Sequence, residues 1–487
     1  MENGHREGGA IPGLGGAPSA GTKGPPAGRA RRVALIGLDC GTPELLFERY
    51  ADDMPTLGKL REEALWGSLE STAPPLSIPA WLSMLSGRTP GELGVYGFRN
   101  RTDHSYGGLA FATSRWVRVP RVWDLLGQKG RDSVLVGVPG TYPPSPLRGS
   151  MVTCFMTPST DAQFTFPSDL RDEVQRFTGG YTIDVAGFRS EDKARVAQQI
   201  FDMTEQRFAL ARHLATTRPW HFLAVADMGP DRLHHGFWGA CDPDHPRYRP
   251  GNAYEHVFRD YYRALDRHLA GLLEVLPEDT TVAIASDHGA RPMLGGFCFN
   301  EWLVREGLLV LAEPPAGPTP IGKAAIDWSR TTAWGDGGFY GRLFLNVEGR
   351  EPHGTVPQRE YEIVREQIAS KIERLPDHEG RPLGNRVLRP GELYPEVRGA
   401  APDLIVYFGD LRWRAVGSLG LGHGLYTFEN DTGPDDANHS EQGVLVLAGE
   451  GVPHGRQDGL SIYDVAPTLQ ALLGLPAAAG QRGRVLG

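Results

Sequence analysis

At 487 residues the chain is too long for a minimal domain; length alone suggests about three domains, although large α/β enzymes run longer as one unit. Hydrophobic residues make up 40% and charged residues 22%, the balance of a soluble globular protein. A net charge of −9 with no long basic block argues against nucleic acid or an anionic membrane surface as the main partner. An anionic substrate would then need local positive charge, for example from metal ions.

Residues 1–31 hold Gly, Pro, Ala and Arg with almost no large apolar side chains, so they cannot offset their ordering entropy and are expected to be disordered. They lack the apolar core of a secretory signal, and no later run approaches the ~20 apolar residues of a membrane span. The four cysteines, Cys40, Cys154, Cys241 and Cys298, are scattered without a CxxC pair, which fits a reducing compartment. A cytoplasmic location is the expectation.

The first apolar run, 33–38, reads as a buried strand and closes on Asp39, followed by Cys40-Gly41-Thr42. On its own, such a carboxylate is more often a turn residue than a ligand. Ser77 follows in Leu76-Ser77-Ile78-Pro79-Ala80-Trp81. The spacing predicts a helix capped by Ser77, with Pro79 in its first turn and Gly87 as its stop. Ser77 is then either a simple cap or a hydroxyl placed among free N–H groups that favour an oxyanion. A metal beside it would make it a nucleophile.

Further strands are expected at 134–138, 222–226, 281–285, 404–408 and 443–448. Helical patterns lie between many of them. One begins at Ser190, read as an N-cap, with Val196, Ile200, Met203, Leu210 and Leu214 at helical spacing. Another covers 259–275, with Tyr262, Leu265, Leu269 and Leu272 on one face. Alternation of strand and helix points to an α/β fold with a doubly wound, mostly parallel sheet sandwiched by helices. Residues 312–400 are richer in Pro, Gly and charge and are expected to form a small inserted subdomain.

The strand at 222–226 leads into Pro230-Asp231-Arg232-Leu233-His234-His235-Gly236. Asp231 and His235, four apart, share one face of a helical turn, as metal capture by two side chains requires, while His234 points elsewhere. The strand at 281–285 runs into Ser286-Asp287-His288-Gly289, a carboxylate and an imidazole at the carboxyl end of a buried strand, where open α/β sheets bind ligands. His439 lies in Asn438-His439-Ser440-Glu441 before the last strand, in an approach loop made polar by Asp436 and Asn438. Two carboxylates held ~4 Å apart repel by roughly 4 kcal/mol at an effective dielectric of 20, so clustering Asp39, Asp231 and Asp287 makes sense only with cations among them.

Taken in order, these motifs resemble the alkaline phosphatase superfamily, and within it the type I phosphodiesterase/nucleotide pyrophosphatase family, over most of the chain from about residue 31. The resemblance implies an α/β sandwich with two adjacent divalent metals, commonly zinc, with manganese or iron also compatible with the His/Asp donors. It assigns Asp39, Asp287 and His288, with Ser77, to one metal, and Asp231, His235 and His439 to the other. Ser77 takes the nucleophile's place, which implies a phosphoseryl intermediate and a small-molecule phosphate ester or nucleotide as substrate. Two departures stand out. His234 stands where the diesterase pattern often has Gly. The family's phosphate-binding Asn has no counterpart: Phe98 falls near that slot, leaving Arg99 and Asn100 as the neighbouring candidates for substrate contact. Phe98, Tyr96 and Trp81 are either core residues or an apolar wall beside the nucleophile.

A sulfatase's C/S-x-P-x-R pattern fits Ser77-Ile78-Pro79-Ala80 until Trp81 stands in place of Arg. Monoesterase, phosphonate hydrolase and phosphomutase activities belong to the same superfamily, and a non-catalytic metal-binding relative is a further alternative. Gly317-Pro318-Thr319-Pro320-Ile321-Gly322-Lys323 has the spacing of a phosphate-binding loop, but Ala324 lacks the hydroxyl needed next and two prolines remove backbone donors.

Overall fold

The computed structural model describes residues 32–422 and 424–487; the expectation for the N-terminal tail lies outside the described residues. A ten-stranded sheet forms the centre. Its middle strand, Arg32–Leu38, is buried almost throughout and pairs in parallel with Phe222–Asp227 on one side and Thr280–Ala285 on the other. Ser133–Val136 and Gly149–Val152 extend the parallel half. Gln442–Ala448 runs antiparallel between Thr280–Ala285 and Ala64–Glu70. The sheet is thus mixed but mostly parallel, and it is covered on both faces. One apolar layer gathers Ile36, Val225 and Ile284 with Phe208, Leu265 and Leu269 of the flanking helices. The other gathers Leu35, Ala224 and Leu445 with Trp81, Met84 and Leu469.

The helix expected from Ser190 runs over Lys193–Thr217, and its cap is Asp192, whose carboxylate accepts from Arg195 N at 3.3 Å. Ser190 Oγ instead accepts from Asp192 N, closing a turn before the helix. The next expected helix spans Val257–Leu273. Residues 404–408 are a strand over Leu404–Tyr407, but in a separate four-stranded sheet with Arg386–Leu388, Ala333–Asp336 and Gly341–Leu345. That sheet has its own apolar core, from Phe297 through Trp334 and Phe344 to Leu419, which begins before and ends after the segment 312–400. Within that segment, the stretch 317–323 with phosphate-loop spacing forms only a short 3-10 turn at Ile321–Lys323. Among the described residues no helix is long and apolar enough to cross a membrane, and all four cysteines are free thiols.

Candidate active site

Three parallel strand ends and two helices converge on one buried cluster. Asp39 leaves the middle strand with its N–H on the Asp227 carbonyl at 3.0 Å and is fully buried. Asp287 and His288 leave the neighbouring strand and are equally buried. Ser77 opens the helix Ser77–Ser86, which ends at Gly87 in the left-handed conformation (φ 69°). The serine is not the cap: extended Leu76 holds that position, without a side-chain bond. The Ser77 hydroxyl is turned away from the helix, donating to Asp39 Oδ1 at 3.2 Å and lying 3.2 Å from His288 Nε2. Trp81, one turn on, donates Nε1–H to Asp39 Oδ2 at 2.7 Å. Its ring reaches this far only because Gly37 carries no side chain; a Cβ there would overlap the indole. Trp81 is therefore a buried support of Asp39 and no substrate wall, and Tyr96 is buried as well.

Asp231 and His235 lie on the helix Gly229–Cys241, with His235 Nε2 at 3.4 Å from Asp231 Oδ1. His439 arrives from the strand Ala437–Ser440, whose antiparallel pairing sets it opposite Ala290, just past Asp287-His288. Its Nε2 is 3.3 Å from that of His235 and 3.7 Å from Asp231 Oδ1. Its ring stacks on His288 at 3.9 Å, so the two groups adjoin. His234 points away, onto the Tyr262 hydroxyl at 2.7 Å. The competing carboxylate Asp227 is taken by Thr204 and Tyr261 hydroxyls at 3.0 and 2.8 Å.

The imidazoles are wired alike. Nδ1 of His288 faces the Gly289 carbonyl at 3.1 Å, Nδ1 of His439 the Pro75 carbonyl at 2.9 Å, and Nδ1 of His235 the Asp435 carboxylate at 2.7 Å. Each of these oxygens can only accept, so each Nδ1 carries a proton and each Nε2 faces the cluster, where its lone pair is available to a metal, the arrangement that metal-binding histidines adopt. Two sets of donors result, Asp39, Asp287 and His288, and Asp231, His235 and His439, each with donor atoms within 4.8 Å of one another. Asp287 Oδ2 is buried and accepts no hydrogen bond among the described residues, so its charged form calls for a cation. The donor chemistry, nitrogen and oxygen without sulfur, suits divalent ions of the zinc, manganese or iron kind.

The electrostatics describe a cluster that holds protons where cations would sit. Burial, then the charge of Asp231, pushes Asp39 up to about 8. Burial and Asp39 raise Asp287 well above the carboxylate range. Asp231 stays well below it despite burial, held by His235 and Arg232. His235 is raised to about 9 because Asp435 and Asp231 overcome burial, whereas burial lowers His288 to about 4 and His439 well below its usual value.

Beside the cluster opens a cavity of about 380 Å³ that Ser77, Asp231 and His439 help to line. Phe98 and Arg99 also line it. Asn100 does not: its amide is spent inside the loop, accepting from Tyr96 N at 2.7 Å and donating to the Gly97 carbonyl at 2.9 Å. Sequence reasoning missed Asp435, which orients His235 and is itself held by Arg189 Nε at 2.7 Å, and Phe339, whose ring stacks on His439 at 4.1 Å. The tandem Asp435-Asp436 just ahead of His439 was the available signal; Asp436 turns instead to Arg247 at 2.9 Å.

The sequence profile of type I phosphodiesterases/nucleotide pyrophosphatases matches residues 33–435. The chain belongs to this family. It is accordingly an enzyme that hydrolyses phosphate esters, in a family whose members depend on metal ions. His439 lies beyond the matched stretch, and it is the strand pairing that brings it to the site. No curated protein sequence matches significantly. Among solved structures, human ectonucleotide pyrophosphatase/phosphodiesterase 5 aligns at TM-score 0.53 and 13% identity, over 93% of this chain and 97% of its own. Its murine counterpart, an inactive variant in complex with AMP, gives 0.56 and 12% over the same shares. Phosphonoacetate hydrolase from Sinorhizobium meliloti, in complex with phosphonoformate, gives 0.57 and 15% over 91% and 95%. These likenesses establish the alkaline phosphatase-like fold of the family.

Proposed function

We propose that the enzyme is a two-metal phosphohydrolase that cleaves phosphodiester or nucleotide pyrophosphate bonds through a phosphoserine formed on Ser77. The observation that carries this reading is the position of the Ser77 hydroxyl. It opens a helix, touches Asp39 and His288, and lines the cavity. Asp39, Asp287 and His288 would hold one ion and Asp231, His235 and His439 the other, with zinc the best match. Such a pair of ions lowers the pKa of a hydroxyl and neutralises charge on the phosphoryl oxygens.

The chain's own part is positional. Asp39, fixed by Trp81, accepts the Ser77 hydrogen bond and aims Oγ. Oγ forms the new bond to phosphorus while the ester oxygen opposite leaves; water then cleaves the Oγ–P bond and restores the serine. Free N–H groups at the start of the helix favour the anionic phosphoryl oxygens. The cavity has the volume of a small-molecule site, which suits a diester or a nucleotide. The AMP bound in the murine neighbour is consistent with that size.

The test is a hydrolysis panel of diesters, monoesters, nucleotide pyrophosphates and sulfate esters, run on chelated protein before and after zinc is restored. Diester or pyrophosphate turnover that returns with metal is expected. Ser77→Ala should lower it by at least ~10³-fold with bound metal nearly unchanged. Wild-type turnover in that variant removes Ser77 from the mechanism.

A further inference from the structure

The cavity beside Ser77 has a charge pattern opposite to that of the whole chain. Its lining includes five arginines, Arg99, Arg189, Arg232, Arg342 and Arg414, and one carboxylate, Asp231. Four of the arginines are matched by acidic partners: Arg232 by Asp184 and Asp231, Arg342 by Asp336, Arg414 by Asp431 and Arg189 by Asp435. Arg99 is the exception. Its side chain is exposed and has neither an ion pair nor a hydrogen bond among the described residues.

The backbone beneath that free side chain is held firmly. Arg342 donates to the Arg99 carbonyl, and Tyr340 donates to the Tyr96 carbonyl. Asn100 closes the turn from within. Arg99 pairs with Phe111 in the hairpin Arg99–Arg101/Leu109–Phe111, and Ala112 N donates to the Phe98 carbonyl at 2.8 Å. Tyr106, in the turn of that hairpin, stacks face to face on Trp328 at 3.8 Å. A donor fork on a fixed support loses little freedom when a ligand arrives, which is how a binding group gains affinity.

We propose that Arg99 is a specificity-determining residue that receives a second anionic group, a carboxylate or a phosphate, on the organic part of the substrate. This rests on the phosphohydrolase reading of the same cavity. The anion being transferred is met at the two donor sets, so the unmatched guanidinium on the wall faces the remainder of the molecule. The neighbouring ring of Phe98 supplies apolar contact for whatever links the two anions.

Direct binding tests this without requiring turnover. The metal-loaded protein is titrated with three phosphonates of similar length: propylphosphonate, phosphonopropionate and propylene diphosphonate. At low salt at least one of the doubly anionic probes should bind about tenfold more tightly than propylphosphonate, a gap in keeping with a partly exposed charge-assisted pair. Which of the two is preferred tells carboxylate from phosphate. Arg99→Ala should remove most of the gap and Arg99→Lys should restore part of it. Equal binding of the three probes, or no binding of any, overturns the proposal. So does a gap that Arg99→Ala leaves intact, which would put the second anion on the metals. An Arg99-dependent gap in a protein that hydrolyses nothing in the panel would keep the subsite and sink the hydrolase reading.

Discussion

Removing the metals should make the protein lose stability as pH rises from about 6.5 to 9, and restoring them should flatten that dependence. In the metal-free cluster Asp39 is pushed up from 3.8 to about 8, chiefly by burial, and Asp287 is raised for the same reason. His235 is raised from 6.5 to about 9 by Asp435 and Asp231, against the effect of burial. Each of these groups binds its proton more tightly folded than unfolded. Its contribution is therefore complete below the unfolded pKa and is lost as pH climbs through the folded one. His288 and His439 work the other way. Burial lowers both, so the cost of keeping them neutral disappears once pH has passed 6.5. Above that value only the first set remains. One retained proton is worth about 1.4 kcal/mol per pH unit, so Asp39 and His235 together contribute up to roughly 3 kcal/mol per unit to pH ~8, Asp287 adds to this, and water entering the site reduces it. Urea unfolding of chelated and zinc-loaded protein across this range gives the slopes. Calorimetry of zinc binding near pH 7 in buffers of different ionisation enthalpy should show at least two protons released. A chelated protein whose stability is flat or rising over the window, with no proton release, would refute the picture of carboxylates held protonated in the absence of cations.

Two further outcomes follow from the helix Gly229–Cys241 and the residue behind it. His235→Ala should cost one equivalent of bound metal by elemental analysis, whereas His234→Phe, one position away, should keep both; equal losses would contradict the assignment of ligands by helix face. Asp435→Asn should weaken metal at the Asp231–His235–His439 set by about 10- to 100-fold in chelator competition, because the carboxylate no longer fixes the His235 tautomer. Unchanged affinity would make Asp435 a mere partner of Arg189.

The parts of the fold and site that were legible in the sequence share a physical property: their meaning is local. Buried parallel strands read as continuous apolar runs, and an Asp or Asp-His at the end of such a run stands out against them, as at 33–39 and 281–288. Asp231 and His235 were legible because helix geometry alone puts them on one face. Ala64–Glu70 and Gly149–Val152 carry no comparable run and escaped notice, although both belong to the central sheet. Ser77 has the residue type of a cap, but its hydroxyl is spent on Asp39 and His288, 38 and 211 positions away in sequence, which no local pattern shows. Asp435 was illegible for the same reason, since its role is a bond to a histidine 200 residues earlier. Asn100 and Arg99, the two neighbouring candidates, part company in the structure. The amide closes its own loop, while the arginine next to it has no side-chain hydrogen bond or ion pair among the described residues.

His234 and His235 show how little of the site resides in residue type. Both are buried imidazoles on one helix, and each has an oxygen partner at 2.7 Å. His234 meets a neutral phenol, and burial lowers it to about 3, so it remains a neutral core side chain. His235 meets a carboxylate through Nδ1, which leaves Nε2 to face Asp231 and His439. One step of the helix thus separates packing from chemistry. Asp227 and Asp39 differ in what they face: Thr204 and Tyr261 hold Asp227 Oδ2 within the core, whereas Asp39 Oδ1 reaches Ser77. A carboxylate or imidazole of this fold becomes part of the site when its oxygen or Nε2 faces the other donors of the cluster. That criterion selects both donor sets and leaves His234 outside them.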